Sequence, residues 1–241
     1  MSAQATRLEL FIDVFDQPRQ RALTLPTLTS GELLTSILQE FREYDFLSDN
    51  PGEYQLIKIE DNSPLESGKA IGEQLQQKAP NLRFVEQEVA TPNGTVRPSQ
   101  PIYLREQVSG KVYKLHWLPA LIGRSDPDAA DNERLAVNLD SAQAGLRVSR
   151  RHASITEENG QFYVTSLSQN PTSILIDGNT ATISRRWPLQ NGTVIHLDRS
   201  GISFKFIIRQ PTAANNNPVA NVAGSNIPGG SEPVAGAVTN Q

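Results

Sequence analysis

Leu8, Leu10, Ile12 and Val14 alternate with Glu9, Phe11 and Asp13, a period of two that predicts a strand with one strongly apolar face. Asp16-Gln17-Pro18-Arg19 has turn chemistry, and Arg21 to Leu25 reads as a returning strand. The period then lengthens. Leu33, Leu34, Ile37, Leu38 and Phe41 fall on one face of a helix, with Glu40, Arg42 and Glu43 away from it. Thr29-Ser30-Gly31-Glu32 supplies the start, because Thr29 can bond forward while Glu32 reaches back. Tyr54 to Glu60 and Leu82 to Val89 read as strands, and Ala70 to Gln77 as a short helical turn. From Lys111 to Arg209 the pattern changes to short strands: Val112–Trp117, Ala120–Arg124, Ala153–Ile155, Phe162–Thr165, Ile174–Ile176, Thr193–Leu197 and Ile202–Ile208. Glu158-Asn159-Gly160, Asp177-Gly178 and Asn191-Gly192 mark turns between them. Many short strands at this spacing, with no helical stripe, predict a β-sandwich.

Breakers separate the two halves. Ala90-Thr91-Pro92-Asn93-Gly94 and Arg97-Pro98-Ser99-Gln100-Pro101 read as a linker, within which Ile102, Tyr103 and Leu104 have the make-up of a short strand. Pro211 to Gln241 contains one charged residue, Glu232, and no period able to bury a core, so disorder is expected there. The expected organisation is a first domain at 5–90, a linker at 91–108, a sandwich at 109–210 and a disordered tail at 211–241.

Composition narrows the function. The 241 residues carry 22 basic and 26 acidic side chains, a net charge of −4 that lacks the basic footprint of general nucleic-acid binding. Cysteine is absent, which removes disulfides, thiolate metal sites and a cysteine nucleophile. The start has no basic region followed by an unbroken apolar core, so neither a signal peptide nor a membrane span is expected, and a cytoplasmic protein is the default. The residues imply no cofactor and no metal.

The remaining chemistry points to an anion. Gly123-Arg124 ends a predicted strand, and Ser149-Arg150-Arg151-His152 and Asn170 lie on loops between predicted strands. Guanidinium forks and a hydroxyl grouped in this way suit a phosphate. A catalytic Ser149–His152 pair has no acid partner in view and no Gly-x-Ser-x-Gly elbow. Gly68-Lys69 lacks the upstream glycine of a phosphate-binding P-loop, and Arg185-Arg186-Trp187 reads as a surface turn.

In order, Leu121-Ile122-Gly123-Arg124-Ser125, Ser149-Arg150-Arg151-His152-Ala153, Leu167-Ser168-Gln169-Asn170-Pro171-Thr172 and Ile176-Asp177-Gly178 resemble the forkhead-associated (FHA) domain, as does the late Asn191-Gly192-Thr193. The resemblance covers Lys111 to Arg209 and implies a β-sandwich that binds phosphothreonine peptides through loops at one end. It implies that Arg124 and Ser149 are the main phosphate contacts and that Arg150 touches the phosphate or nearby peptide backbone. Asn170 would bond the peptide just past the phosphothreonine, with Gly123 and His152 supporting the loops. The first half, in order of elements, resembles the ubiquitin-like β-grasp family, nearest the small members that accompany WXG100-type secretion systems. No exposed Gly-Gly follows its last strand, so a covalent tag is not expected. A small α+β domain of another topology is the alternative.

Two departures stand out. The stretch from Arg124 to Ser149 is longer than usual and acidic at Asp126, Asp128, Asp131 and Glu133, so it is expected to lie beside the cradle and to repel phosphate or shape selectivity. A calcium loop fails there, because Ala130 stands where a third ligand is needed. Pro171 follows Asn170 where the family has glycine, and its fixed φ weakens the Asn170 assignment. The combined expectation is a non-enzymatic adaptor that binds a phosphothreonine-containing protein, in service of a bacterial Ser/Thr kinase and in connection with a secretion component. The rivals are an FHA-like structural or oligomerising module without phosphate binding, and a hydrolase using Ser149.

Overall fold

The first alternating segment forms β1 (Leu8–Val14), which turns back into β2 (Gln17–Thr24). The structure, a computed structural model, describes residues 7–75, 80–129, 131–176 and 178–210; the tail expected to be disordered lies outside them. The hairpin reverses one step earlier than its turn chemistry suggested, with Phe15 at a φ of 52°. Pro18 therefore sits within β2, which tolerates it as the outer strand of the sheet. Helix α1 (Ser30–Glu40) starts as expected, with Thr29 N–H donating to Glu32 Oε2 at 2.8 Å and Glu32 N–H donating to Thr29 Oγ1 at 3.3 Å. Strand β3 (Tyr54–Lys58), the single-turn α2 (Ile71–Gln74) and β4 (Asn81–Glu86) complete the unit.

The four strands are ordered β2-β1-β4-β3, and the central pair β1/β4 is parallel. Leu33, Leu34, Ile37 and Leu38 of α1 join Leu10, Ile12, Val14, Leu56, Leu82 and Phe84 in one core. This is an α+β unit in which one helix covers one face of a mixed sheet.

The second half is a β-sandwich. One sheet has the order β13-β10-β9-β7-β8, the other β12-β11-β14-β15-β5-β6. The first comprises β7 (Ala120–Gly123), β8 (Leu135–Asn138), β9 (Ala153–Glu158), β10 (Gln161–Ser166) and β13 (Arg186–Leu189). The second comprises β5 (Ile102–Glu106), β6 (Val112–Lys114), β11 (Thr172–Ile176), β12 (Asn179–Thr182), β14 (Val194–Leu197) and β15 (Ile202–Ile208). Inward residues of both sheets, among them Leu104, Ile122, Val137, Ile155, Phe162, Ile195, Phe204 and Phe206, close a single core. Arg185-Arg186-Trp187, read as a surface turn, instead leads into β13: Arg186 pairs with Thr165, and its guanidinium lies 3.6 Å from the centre of the Tyr163 ring.

The stretch read as a linker is held against the sandwich. Val96 and Leu118 exchange backbone hydrogen bonds at 2.9 and 2.7 Å, and Asn93 C=O accepts from Arg134 at 2.9 Å. Residues 102–106, inside that stretch, form β5 between β15 and β6. The sheet thus begins at Ile102.

The two units share a dense junction at Glu86, the last residue of β4. Its carboxylate is 10% exposed and accepts from the Tyr103 hydroxyl at 2.7 Å and from Lys114 Nζ at 2.6 Å, with Arg209 at 3.7 Å. The Arg209 guanidinium stacks 4.6 Å from the Phe15 ring, and Phe46 packs 5.5 Å from Tyr103. Asp45 adds ion pairs to Arg105 and Lys205 of the second sheet. No helix among the described residues is long and apolar enough to cross a membrane.

Candidate functional site

Four loops meet at one end of the sandwich because of strand register. Ile122 pairs with Ala153, and Ala153 with Ser166, so the segments 124–125, 149–152 and 167–171 leave the first sheet side by side. Thr172 pairs with Leu197, and Leu197 with Ile202, which brings the 198–201 turn of the second sheet to the same end.

Gly123 makes the closest approach possible. A Cβ at this position would overlap the backbone oxygen of Arg150, and no flexible side chain could yield to relieve it. With no side chain there, Arg124 N–H donates to Arg150 C=O at 3.1 Å and His152 N–H donates to Ile122 C=O at 2.9 Å. The Arg124 guanidinium is anchored through Nε to the Val148 carbonyl at 2.8 Å. Its two terminal nitrogens have no hydrogen-bond or ion-pair partner among the described residues. A fork fixed at its base and open at its tip is suited to two oxygens of one anion.

Beside it lies a polar cluster. Ser149 Oγ is 2.5 Å from Ser168 Oγ and accepts from Asn170 Nδ2 at 3.0 Å. Asn170 is braced twice more: its N–H donates to Ser168 Oγ at 2.9 Å, and its Oδ1 accepts from Arg199 at 3.2 Å. The side-chain amide keeps a second N–H and a second lone pair for a ligand backbone. Pro171 does not displace Asn170, since these bonds use side chains and the Asn170 amide while the Pro171 carbonyl accepts from Asp198 N–H at 3.2 Å.

His152 is fully buried beneath the rim. Its Nδ1 accepts from the Ser149 N–H at 3.3 Å, and its carbonyl accepts from Leu167 N–H at 2.9 Å, so one residue ties the 149 and 167 loops together. The acceptor role of Nδ1 puts the proton of the neutral ring on Nε2. Burial lowers the His152 pKa, and the Pro171 backbone and Asp198 only partly oppose it. The imidazole meets the Ser149 amide, and the Ser149 hydroxyl faces Ser168 and Asn170.

The acidic insertion folds back onto the site. Arg151 donates to Asp131 Oδ1 at 2.5 and 2.9 Å, to Asn132 Oδ1 at 2.9 Å and to the Arg124 carbonyl at 3.1 Å. The Arg151 hydrogen bonds hold the Asp131 carboxyl below the ordinary carboxylate range. Asp140 is lowered in the same way, chiefly by the Ser125 hydroxyl. Arg150, expected at the phosphate or the peptide backbone, pairs with Asp126 at 3.1 Å. The structure therefore brings Arg124, Ser149 and Asn170 together and places Arg150 beside them, engaged with the insertion. Sequence reasoning missed Ser168, Arg199 and the clamp of Arg151. Ser168 stands two residues before Asn170, where an Asx-like brace is common; nothing in the sequence signals Arg199.

Two histidines couple the fold to pH. Burial pushes His116 down to about 4 and lowers His152 as well, against an ordinary value of 6.5. Below pH 6.5 the unfolded chain therefore binds protons that the folded chain refuses, and stability falls as pH falls. The melting temperature is expected to drop between pH 7.5 and 5. His116→Gln should flatten that slope, and an unchanged slope would contradict the assignment.

No curated protein matches the chain. Among solved structures it is similar to Mycobacterium tuberculosis EmbR in complex with a low-affinity phosphopeptide, at 28% identity and a TM-score of 0.36. The match covers 48% of this chain but only 26% of that one. It is similar at 26% identity, TM-score 0.35, to a structure described under phosphothreonine-dependent FHA domain interactions, covering 46% of this chain and 98% of that one. The FHA domain of human APLF in complex with an XRCC1 bisphospho peptide matches at 20% identity and a TM-score of 0.33, covering 44% and 97%. Residues 120–198, which carry Arg124, Ser149, Ser168 and Asn170 of the rim, match the family model of the FHA domain.

Proposed function

We propose that this protein is a non-enzymatic adaptor that docks onto a phosphothreonine-containing protein in bacterial Ser/Thr kinase signalling. The observation that carries the reading is the open Arg124 fork beside the Ser149–Ser168–Asn170 cluster. Arg124 and Ser149 grip phosphate oxygens, Arg150 reinforces them, and Asn170 bonds the peptide backbone and fixes its direction. Gly123 and His152 keep the loops in place. A phosphothreonine brings a charge of about −1.5 to −2 near neutral pH, and each charge-assisted bond to it is worth about 1.5–3 kcal/mol. Binding then depends on the phosphate. Cleavage by Ser149 is disfavoured, because the nearest imidazole accepts from the Ser149 amide and leaves its hydroxyl without a base.

The first unit is read as a ubiquitin-like β-grasp domain. Its strand order β2-β1-β4-β3, with a parallel central pair and a single covering helix, supports that reading. On the resemblance to small β-grasp proteins of WXG100-type secretion systems, the partner is a component or substrate of such an apparatus on its cytoplasmic side. The test is a titration of matched peptides bearing phosphothreonine, phosphoserine or plain threonine. Phosphothreonine is expected to bind at least tenfold tighter than either of the others. Equal, phosphate-blind binding would favour the structural or oligomerising role and end the signalling reading.

A further inference from the structure

Arg150 and Asp126 are unequal partners. The Arg150 side chain is 64% exposed on a long stem, while Asp126 is 17% exposed and held from behind. Asn132 accepts from the Asp126 N–H at 3.0 Å and its Nδ2 donates to the Asp126 carbonyl. Asn132 is gripped in turn by Arg151, which is bolted to Asp131 and to the Arg124 backbone. The carboxylate is therefore built into the wall of the rim, one bond from a cation that belongs to the site, and only the cation is free to swing. The pair follows from the insertion's fold: with Asp131 and Asn132 clamped by Arg151, Asp126 is delivered to Arg150.

We propose that Asp126 controls the use of Arg150 at the phosphopeptide rim, holding it so that a dianionic phosphate draws it away and a single carboxylate does not. The inference rests on the phosphothreonine reading and deepens it. A glutamate or aspartate side chain on a peptide offers Arg150 the same unit charge as Asp126 and must first break an existing bond, so the exchange yields nothing. A phosphate offers nearly twice the charge and three acceptor oxygens. Arg124 and Arg150 can then share it, and the displaced Asp126 keeps its backbone bonds to Asn132. The acidic insertion thus acts as a filter on Arg150: acidic peptides that resemble a phosphorylated one only in sign bind without its help.

The experiment measures affinity for one peptide in two forms, with phosphothreonine and with glutamate at the same position. Asp126→Asn and Asp126→Ser are compared with the parent, in the presence and absence of Arg150→Ala, after melting curves have shown that each full-length variant is folded. Freeing Arg150 is expected to tighten phosphothreonine binding about three- to fivefold, the size of a partly exposed ion pair. The glutamate peptide should gain by no more than the same factor, because the bond to be broken is the same for both, and only without Asp126 should Arg150→Ala weaken the glutamate peptide. In the Arg150→Ala background neither Asp126 change should alter affinity. Glu133→Gln makes the same charge change on the same insertion without a bond to Arg150 and should leave affinity within twofold. If the parent binds phosphothreonine but Asp126 changes weaken it, leave it unchanged, or tighten it equally without Arg150, the filter is overturned and the adaptor reading stands. If neither parent nor variants bind the phosphothreonine peptide, both fall.

Discussion

Arg124→Ala is expected to weaken binding of a phosphothreonine peptide by about 100-fold or more. Two charge-assisted bonds from its terminal nitrogens are lost together, at about 1.5–3 kcal/mol each, and every 1.4 kcal/mol is a factor of ten. The loss should fall on the phosphorylated peptide alone and leave any residual binding of the plain peptide unchanged. Arg124→Lys separates charge from shape. A lysine keeps the positive charge but lacks the fork and the Nε bond to Val148, so it should recover only part of the affinity. The side chain is partly exposed at the rim, so the variant should melt close to the parent. Calorimetric titration reads the effect directly, and an Arg124→Ala protein that binds as the parent does would remove the site.

The second large effect concerns stability. Glu86→Ala takes away the carboxylate on which Tyr103, Lys114 and Arg209 converge. Lys114 and Arg209 are left 23% and 25% exposed without their counter-charge. Breaking one side of such a buried cluster costs about 3–5 kcal/mol, and the partial exposure of the cations places the expectation near the lower figure. For a chain of this size that is about 10 °C in melting temperature. Glu86→Gln keeps the volume and an acceptor for Tyr103 and should cost less. Because the junction lies on β5, β6 and β15 and the rim on other loops, peptide affinity of the folded protein should stay near that of the parent. A melting temperature within 2 °C of the parent would show that the two units do not lean on this residue.

How much of this was legible in the chain depends on which strands are concerned. The interior strands carried strong apolar patterns and were readable, as in Leu8–Val14, Phe162–Thr165 and Ile202–Ile208. The strands that sequence reading missed, β8, β12 and β13, are all sheet edges. An edge needs little apolar patterning and tolerates proline, so Asn179-Thr180-Ala181-Thr182 looks like loop and Pro188 hides β13. In the site, Arg124, Ser149 and Asn170 stood in short motifs whose chemistry is local. The clamp of Arg151 on Asp131 and the approach of Arg199 to Asn170 come from chain segments 20 and 29 residues away. Only the folded insertion and the pairing of β11 with β14 bring them in, and neither leaves a mark on the sequence. Proline and glycine between the halves suggested a tether, yet backbone bonds to Leu118 and the strand β5 fix that segment.

That fixation changes what kind of device the chain is. Two modules on a loose string sample many orientations, and the local concentration of one client near the other follows from string length. Here the Glu86 cluster and the stacked Arg209 weld them into a single body. A protein held by the first unit and the phosphorylated client proposed for the rim would meet at one distance and one angle, as on a jig.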